Sequence, residues 1–188
     1  MPATATDQAA AGRDLGVGAV DADRLQYLEE HYAASEWLRR PGTEGTVEDV
    51  QLTGSEIPGW TLKRARWHEH ATPPFFHSVW TNADDADEAI TIRIVECADA
   101  SAAKHQLLVE LGTFHSPAIE RHDGADVVGD VSFGLGETMA LFARANVVVT
   151  VLNAGKPVSV VAAARDVDTF IQQKIPPGSG IPDLPTPQ

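Results

Sequence analysis

The sequence predicts an α+β domain: an antiparallel sheet of about six strands in the order helix-βββα-βββα, with the helices packed on the sheet. Three observations carry this. Short runs rich in β-branched and aromatic residues follow one another with connections too short for parallel crossovers. Each set of three runs is followed by one stretch with helical spacing. Proline, glycine and acidic clusters punctuate the gaps.

The elements follow in chain order. Residues 1–20 mix Ala, Thr, Gly and Asp without periodicity and are expected to be a mobile tail. Residues 176–188, PPGSGIPDLPTPQ, suit neither helix nor central strand and are read as a second tail, leaving one domain over 21–175. DADRLQYLEEHYAASEWLRRPG is the first helix. Asp21 or Asp23 caps its start, Arg39 and Arg40 complement the dipole at its end, and Pro41-Gly42 stops it. Leu25, Leu28 and Tyr32 form a stripe that suits docking on the domain.

TLKRARWHEH, FFHSVWT and AITIRIVEC are the first three strands, parted by ATPP and NADDADE. DASAAKHQLLVELGTF is a helix with Ala103, Leu107, Leu111 and Phe114 on one face and Asp99 or Ser101 as cap. DVVGDVSF, TMALFAR and NVVVTVLN are the next strands. PVSVVAAARDVDTFIQQK closes the domain as a helix whose face is Val160, Ala163, Ala164, Val167, Phe170 and Ile171. The two halves match in pattern and not in residues, a pseudo-repeat only.

Side-chain alternation assigns faces. With ATPP as the turn, His70 meets Phe75, His68 meets His77 and Arg66 meets Val79; on the next strand, Trp80 meets Ile90. Trp67, Phe76, Trp80, Ile90, Ile92 and Ile94 then form a core side, with Glu69 and Ser78 at its rim. The opposite side carries Arg64, Arg66, His68, His70, His77 and Arg93, with Phe75 and Val79 between them. A slip of one residue would mix the two sets. In the second half, a hairpin turned at Ala145-Asn146 is apolar on both faces. The two repeat helices are expected to cover one of these; the first helix or a second subunit would cover the other, so a homo-oligomer is an open expectation.

Net charge narrows the partners. At −13 and pI 4.8, the chain repels nucleic acid and anionic membranes. No run approaches the roughly 20 apolar residues of a membrane span. The single cysteine, Cys97, permits no intrachain disulfide, and the N-terminus shows no basic-then-apolar signal, so a cytoplasmic protein is expected, though a removed signal would leave no trace.

The chemistry concentrates in RARWHEHATPPFFHSVW. His68, His70 and His77 could supply three ligands to zinc or a similar ion. Arg64, Arg66 and Arg93 on the same face repel a cation and suit a carboxylate or other anion. The candidate ligand-binding set is therefore Arg64, Arg66, His68, His70, Phe75, His77 and Arg93. A plain solvated face ranks ahead of a ligand surface, and a ligand surface ahead of a metal centre. HEH lacks the i, i+4 helical spacing of a metalloprotease motif. Glu96 and Asp99 disfavour a thiolate at Cys97. FGLGET reads as a turn and not a phosphate loop, and the Asp84–Glu88 run lacks a calcium-loop pattern. No catalytic residue and no cofactor is predicted.

The leading expectation is a non-catalytic binding or accessory domain for a small anionic or aromatic ligand, or for an acidic partner segment. One alternative is a metal-binding protein or metal-dependent enzyme using His68, His70 and His77. Another is a structural or assembly subunit using the doubly apolar second half.

The stretch VGDVSFGLGETMALFARANVVVTVLNAG, with the later DVDTFIQQK, is similar to the C-terminal half of PsbP-like α+β domains. Gly129, Asp130, Arg144 and Asn146 carry the resemblance. It implies a mostly non-catalytic accessory, ligand-binding or partner-binding role, and it assigns no site residue.

Overall fold

In the computed structural model, which describes residues 22–37, 45–114 and 116–175, the alternating runs become one antiparallel sheet. Its strands are β1 (Trp60–His68), β2 (Phe75–Asn82), β3 (Ala89–Glu96), β4 (Glu120–Arg121), β5 (Val131–Gly134), β6 (Met139–Arg144) and β7 (Val147–Asn153). Its helices are α1 (Ala22–His31), α2 (Ala100–Thr113) and α3 (Val161–Gln173). The spatial order is β1-β2-β3-β7-β6-β5-β4. The α+β class stands as expected, and the strand count rises to seven. The addition is β4, which pairs Glu120 with Gly134 and Arg121 with Phe133. Two residues are too few to leave a periodic signal. DVVGDVSF is strand only from Val131; a short 3₁₀ turn, Gly124–Asp126, begins just before it and overlaps its first residue. Both expected tails lie outside the described residues.

α1 is shorter than its sequence pattern. It stops at His31, Ala33 turns into the left-handed region at φ 48°, and a 3₁₀ turn follows over Ala34–Glu36. The expected stop at Arg39, Arg40 and Pro41-Gly42, and the Asp21 cap, lie outside the described residues. α1 docks on α2 through Leu28, Ala34 and Leu108, while Tyr32 and Trp37 set their rings 5.0 and 5.5 Å from Phe133. At α2 the expected cap is in place: the Asp99 side chain accepts from the Ala102 N–H at 2.8 Å.

The helices lie on opposite faces of the sheet, which corrects the expectation that both cover one face. Phe76, Trp80, Ile92, Phe142 and Val149 pack beneath Ala163, Ala164, Val167 and Ile171 of α3. Val47, Val50, Leu52 and Ile57, from the segment preceding β1, complete that layer. Val95, Phe133, Leu141 and Val148 pack beneath Ala103, Leu107 and Leu111 of α2. Every residue of β6 is buried, so the doubly apolar hairpin is covered within one chain and no second subunit is needed for that purpose. Each buried Val, Leu, Ile or Phe contributes about 1.5–3 kcal/mol of hydrophobic stabilisation.

The β1–β2 register differs from the expected one by two residues: Trp67 pairs with Phe76, His68 with Phe75, Arg66 with His77 and Arg64 with Val79. β1 ends at His68, so the connection takes residues 69–74 instead of four. A shift of two preserves side-chain parity, and the face assignment survives. Trp80 pairs with Ile90, and Arg144 with Val147 across the Ala145-Asn146 turn, as expected. Ser78 is not at a rim. It is fully buried, and its hydroxyl accepts the Trp80 indole N–H at 2.9 Å.

Candidate functional site

α2 packs against β6 and β7. On the same face, α2 reaches β3 at Arg93 and Val95, and among the described residues no helix packs on β1 or β2. Alternation along the observed register puts Arg64, Arg66 and His68 of β1, Phe75, His77 and Val79 of β2, and Thr91 and Arg93 of β3 on this open half-face. Arg64 and Arg66 are exposed; the others are half-buried. The Arg93 guanidinium lies 4.3 Å from the Phe75 ring centre, and His68 stacks on Phe75 at 4.4 Å. The His68 and His77 rings are 6.4 Å apart, edge to face.

Arg93 is already paired. It bonds Glu110 of α2, which also accepts from Gln106 at 2.8 Å. With side chains only 17% and 6% exposed, this pair anchors α2 to the sheet and removes Arg93 as a free anion receptor. Sequence reasoning missed Glu110. The signal was available: it lies three residues after Leu107 and seven after Ala103, on the apolar stripe of α2. By contrast, Arg64 and Arg66 have no described carboxylate within ion-pair distance.

Burial, followed by the nearby His68, Arg64 and Arg93, pulls the His77 pKa below the ordinary imidazole value. The His77 ring is therefore neutral near neutral pH. His70 does not join the face. Its side chain is 94% exposed in the β1–β2 connection, 3.4 Å from Glu69. Among the described residues, no group of three or more His, Cys, Asp or Glu side chains is arranged to hold a metal ion. The expected trio thus reduces to the pair His68 and His77.

Other chemistry-bearing groups are structural. Burial, then Asp99 and Glu110, pushes the Cys97 thiol up to about 11, so it is a poor nucleophile; Glu110 takes the part expected of Glu96. His122 Nδ1 lies 3.2 Å from the Ser132 hydroxyl, but Ser132 is fully buried and accepts the Val128 N–H. A recess of about 680 Å³ opens beside Trp67, lined by Glu48, Asp49, Glu96 and Asn146 among others, and is largely polar and acidic.

The residues that carry the PsbP-like resemblance serve the fold. Arg144 bonds Asp168 at 2.7 and 2.8 Å and Asp130 at 3.0 Å. Gly129 has φ 70°, and a Cβ there would sit 2.4 Å from the Ala143 carbonyl oxygen, so only glycine fits. The Asn146 amide donates to the carbonyls of Val47 and Cys97 and accepts the Val47 N–H. No helix among the described residues is long and apolar enough to cross a membrane. Comparison with protein-family models, with curated proteins and with solved structures finds no match for this chain.

Proposed function

We propose that this chain is a non-catalytic binding domain whose β1–β3 half-face receives an acidic segment of a partner protein. One observation carries the reading: an uncovered patch with Arg64, Arg66, His68 and His77 stands on a chain of net charge −13. Exposed, unpaired guanidinium groups suit carboxylates, which they can bind in bidentate fashion. The patch lies on the pleated surface of the sheet with Arg64 and Arg66 exposed, whereas small-molecule sites are concave and enclose their ligand. Phe75 is already engaged by His68 from β1 and by Arg93 from β3, which disfavours a stacked aromatic ligand. An extended acidic segment fits these features better. The PsbP-like resemblance agrees with an accessory, partner-binding role.

The test is a titration of an acidic peptide into wild type and an Arg64→Ala/Arg66→Ala double variant. Binding should weaken in the variant and with added salt. It should tighten as pH falls from neutral, because a bound anion favours the protonated His77 ring that burial and its cationic neighbours disfavour, so binding takes up a proton. Equal binding by both proteins at all pH values would sink the idea.

A further inference from the structure

We propose that the acidic segment binds as an added strand on the outer edge of β1 and alternates acidic with apolar residues. This rests on the acidic-segment reading above and specifies its mode. β1 is the terminal strand on its side of the sheet and is nine residues long, whereas the opposite terminal strand, β4, has two. Lys63, Arg64, Ala65 and Arg66 are all exposed, although their side chains do not share one face. Among the described residues no strand pairs with this edge, although the segment preceding β1 brings Gly54 beside Leu62. Beyond the bulge at Lys63 the ladder runs without interruption from Arg64 to His68.

The two faces of β1 differ in chemistry. Arg64, Arg66 and His68 lie on the open half-face, while Leu62, Ala65 and Trp67 lie on the core side. Trp60, Leu62 and Trp67 are only partly buried against that core. An added strand continues the pleat, so its side chains alternate between the same two faces. Those beside Arg64, Arg66 and His68 are favoured as carboxylates; those beside Leu62 and Trp67 are favoured as apolar. Main-chain bonds to the β1 edge supply affinity and the alternation supplies specificity. A second copy of β1 is the wrong occupant, because its arginines would face like charges across the new ladder. The same cationic edge, with its bulge, repels copies of itself and disfavours neutral strands, which would desolvate the arginines without pairing them, while remaining open to an acidic one.

Four acidic peptides and one basic counterpart test this on the full chain by calorimetry. One is a nine-residue peptide alternating glutamate with valine. The second has the same composition with glutamates and valines in separate blocks. The third and fourth are the alternating peptide N-methylated at every second residue, one for each strand edge. The alternating peptide should bind, and the block peptide should bind about tenfold more weakly or worse. One N-methylated peptide should match the parent, and the other, deprived of its donors toward β1, should lose about tenfold or more. Amide exchange over Arg64–His68 should slow on binding. Arg64→Glu/Arg66→Glu should prefer the corresponding lysine-valine peptide. Equal binding by all four acidic peptides overturns strand addition and leaves the acidic-segment reading standing. No binding by any acidic peptide overturns both.

Discussion

Arg144 shows how single residues hold this molecule. Its guanidinium neutralises Asp130 and Asp168, and Gly129 and Gln172 donate further hydrogen bonds to Asp168. Arg144→Ala leaves the buried Asp168 and the part-buried Asp130 without their shared cation, and the expected loss is about 3–5 kcal/mol in chemical denaturation. Arg165→Ala removes an exposed contact to Asp126 at 3.5 Å, and under 1 kcal/mol should be lost in the same measurement. The partnership was half legible: Arg144 is an odd charge in an apolar strand, and Asp168 adjoins the apolar stripe of the last helix. Sequence alone could not show that they meet. His77 gives a pH signature. Its folded pKa is depressed, so the unfolded chain binds more protons below the ordinary imidazole value. Its contribution to stability is present above about pH 6.5 and is lost as pH falls through the lower folded value. Urea midpoints measured between pH 7.5 and 5 should fall less steeply in His77→Gln than in wild type.

At the scale of elements, β2 and β3 were readable from their alternation, and β6 and β7 from short, nearly continuous apolar runs bounded by turn residues. The face assignment of β1–β3 survived a misjudged turn because parity is all it depends on. Register depends on where the turn begins, and HEHATPP offered no sharp signal for that. His70 consequently left the candidate site while His68 and His77 kept their places. The first helix was over-extended for a different reason. The apolar spacing runs on through Tyr32, but the backbone reverses at Ala33, where a left-handed alanine is strained. Ala33→Gly should relieve that strain. The expected gain is up to about 1 kcal/mol, read as a raised midpoint of thermal unfolding. A fall in that midpoint would show that Ala33 packing outweighs its conformation.

The whole molecule corrects the idea of a repeated half. Each βββα pattern exists in outline, yet α2 and α3 occupy opposite faces of a sheet joined through antiparallel β3 and β7. A two-fold axis normal to the sheet would put both helices on one face, so the halves are not related by simple rotation. Local pattern could not reveal this, because the face taken by a helix depends on how its connection crosses the sheet. α2 carries the chain from β3 past β7 and β6 toward the far edge, and so leaves β1 and β2 without a helix on its side among the described residues.

The same crossing shapes how the protein reaches its native state. β1–β2–β3 and β5–β6–β7 are two meanders of neighbouring strands, each able to form from local contacts. The β3–β7 seam unites chain segments with α2 and three strands between them. Local hairpins close at little entropic cost, whereas distant pairings must first overcome loop closure. Joining the meanders is then the slow event. In stopped-flow refolding, Val149→Ala at the seam should slow folding by nearly its full loss of stability. Val79→Ala, within the first meander, should also slow folding, because a meander formed before the seam closes already holds its contacts in the transition state. The line along which the two halves were sealed would thus be the last to close as the chain folds.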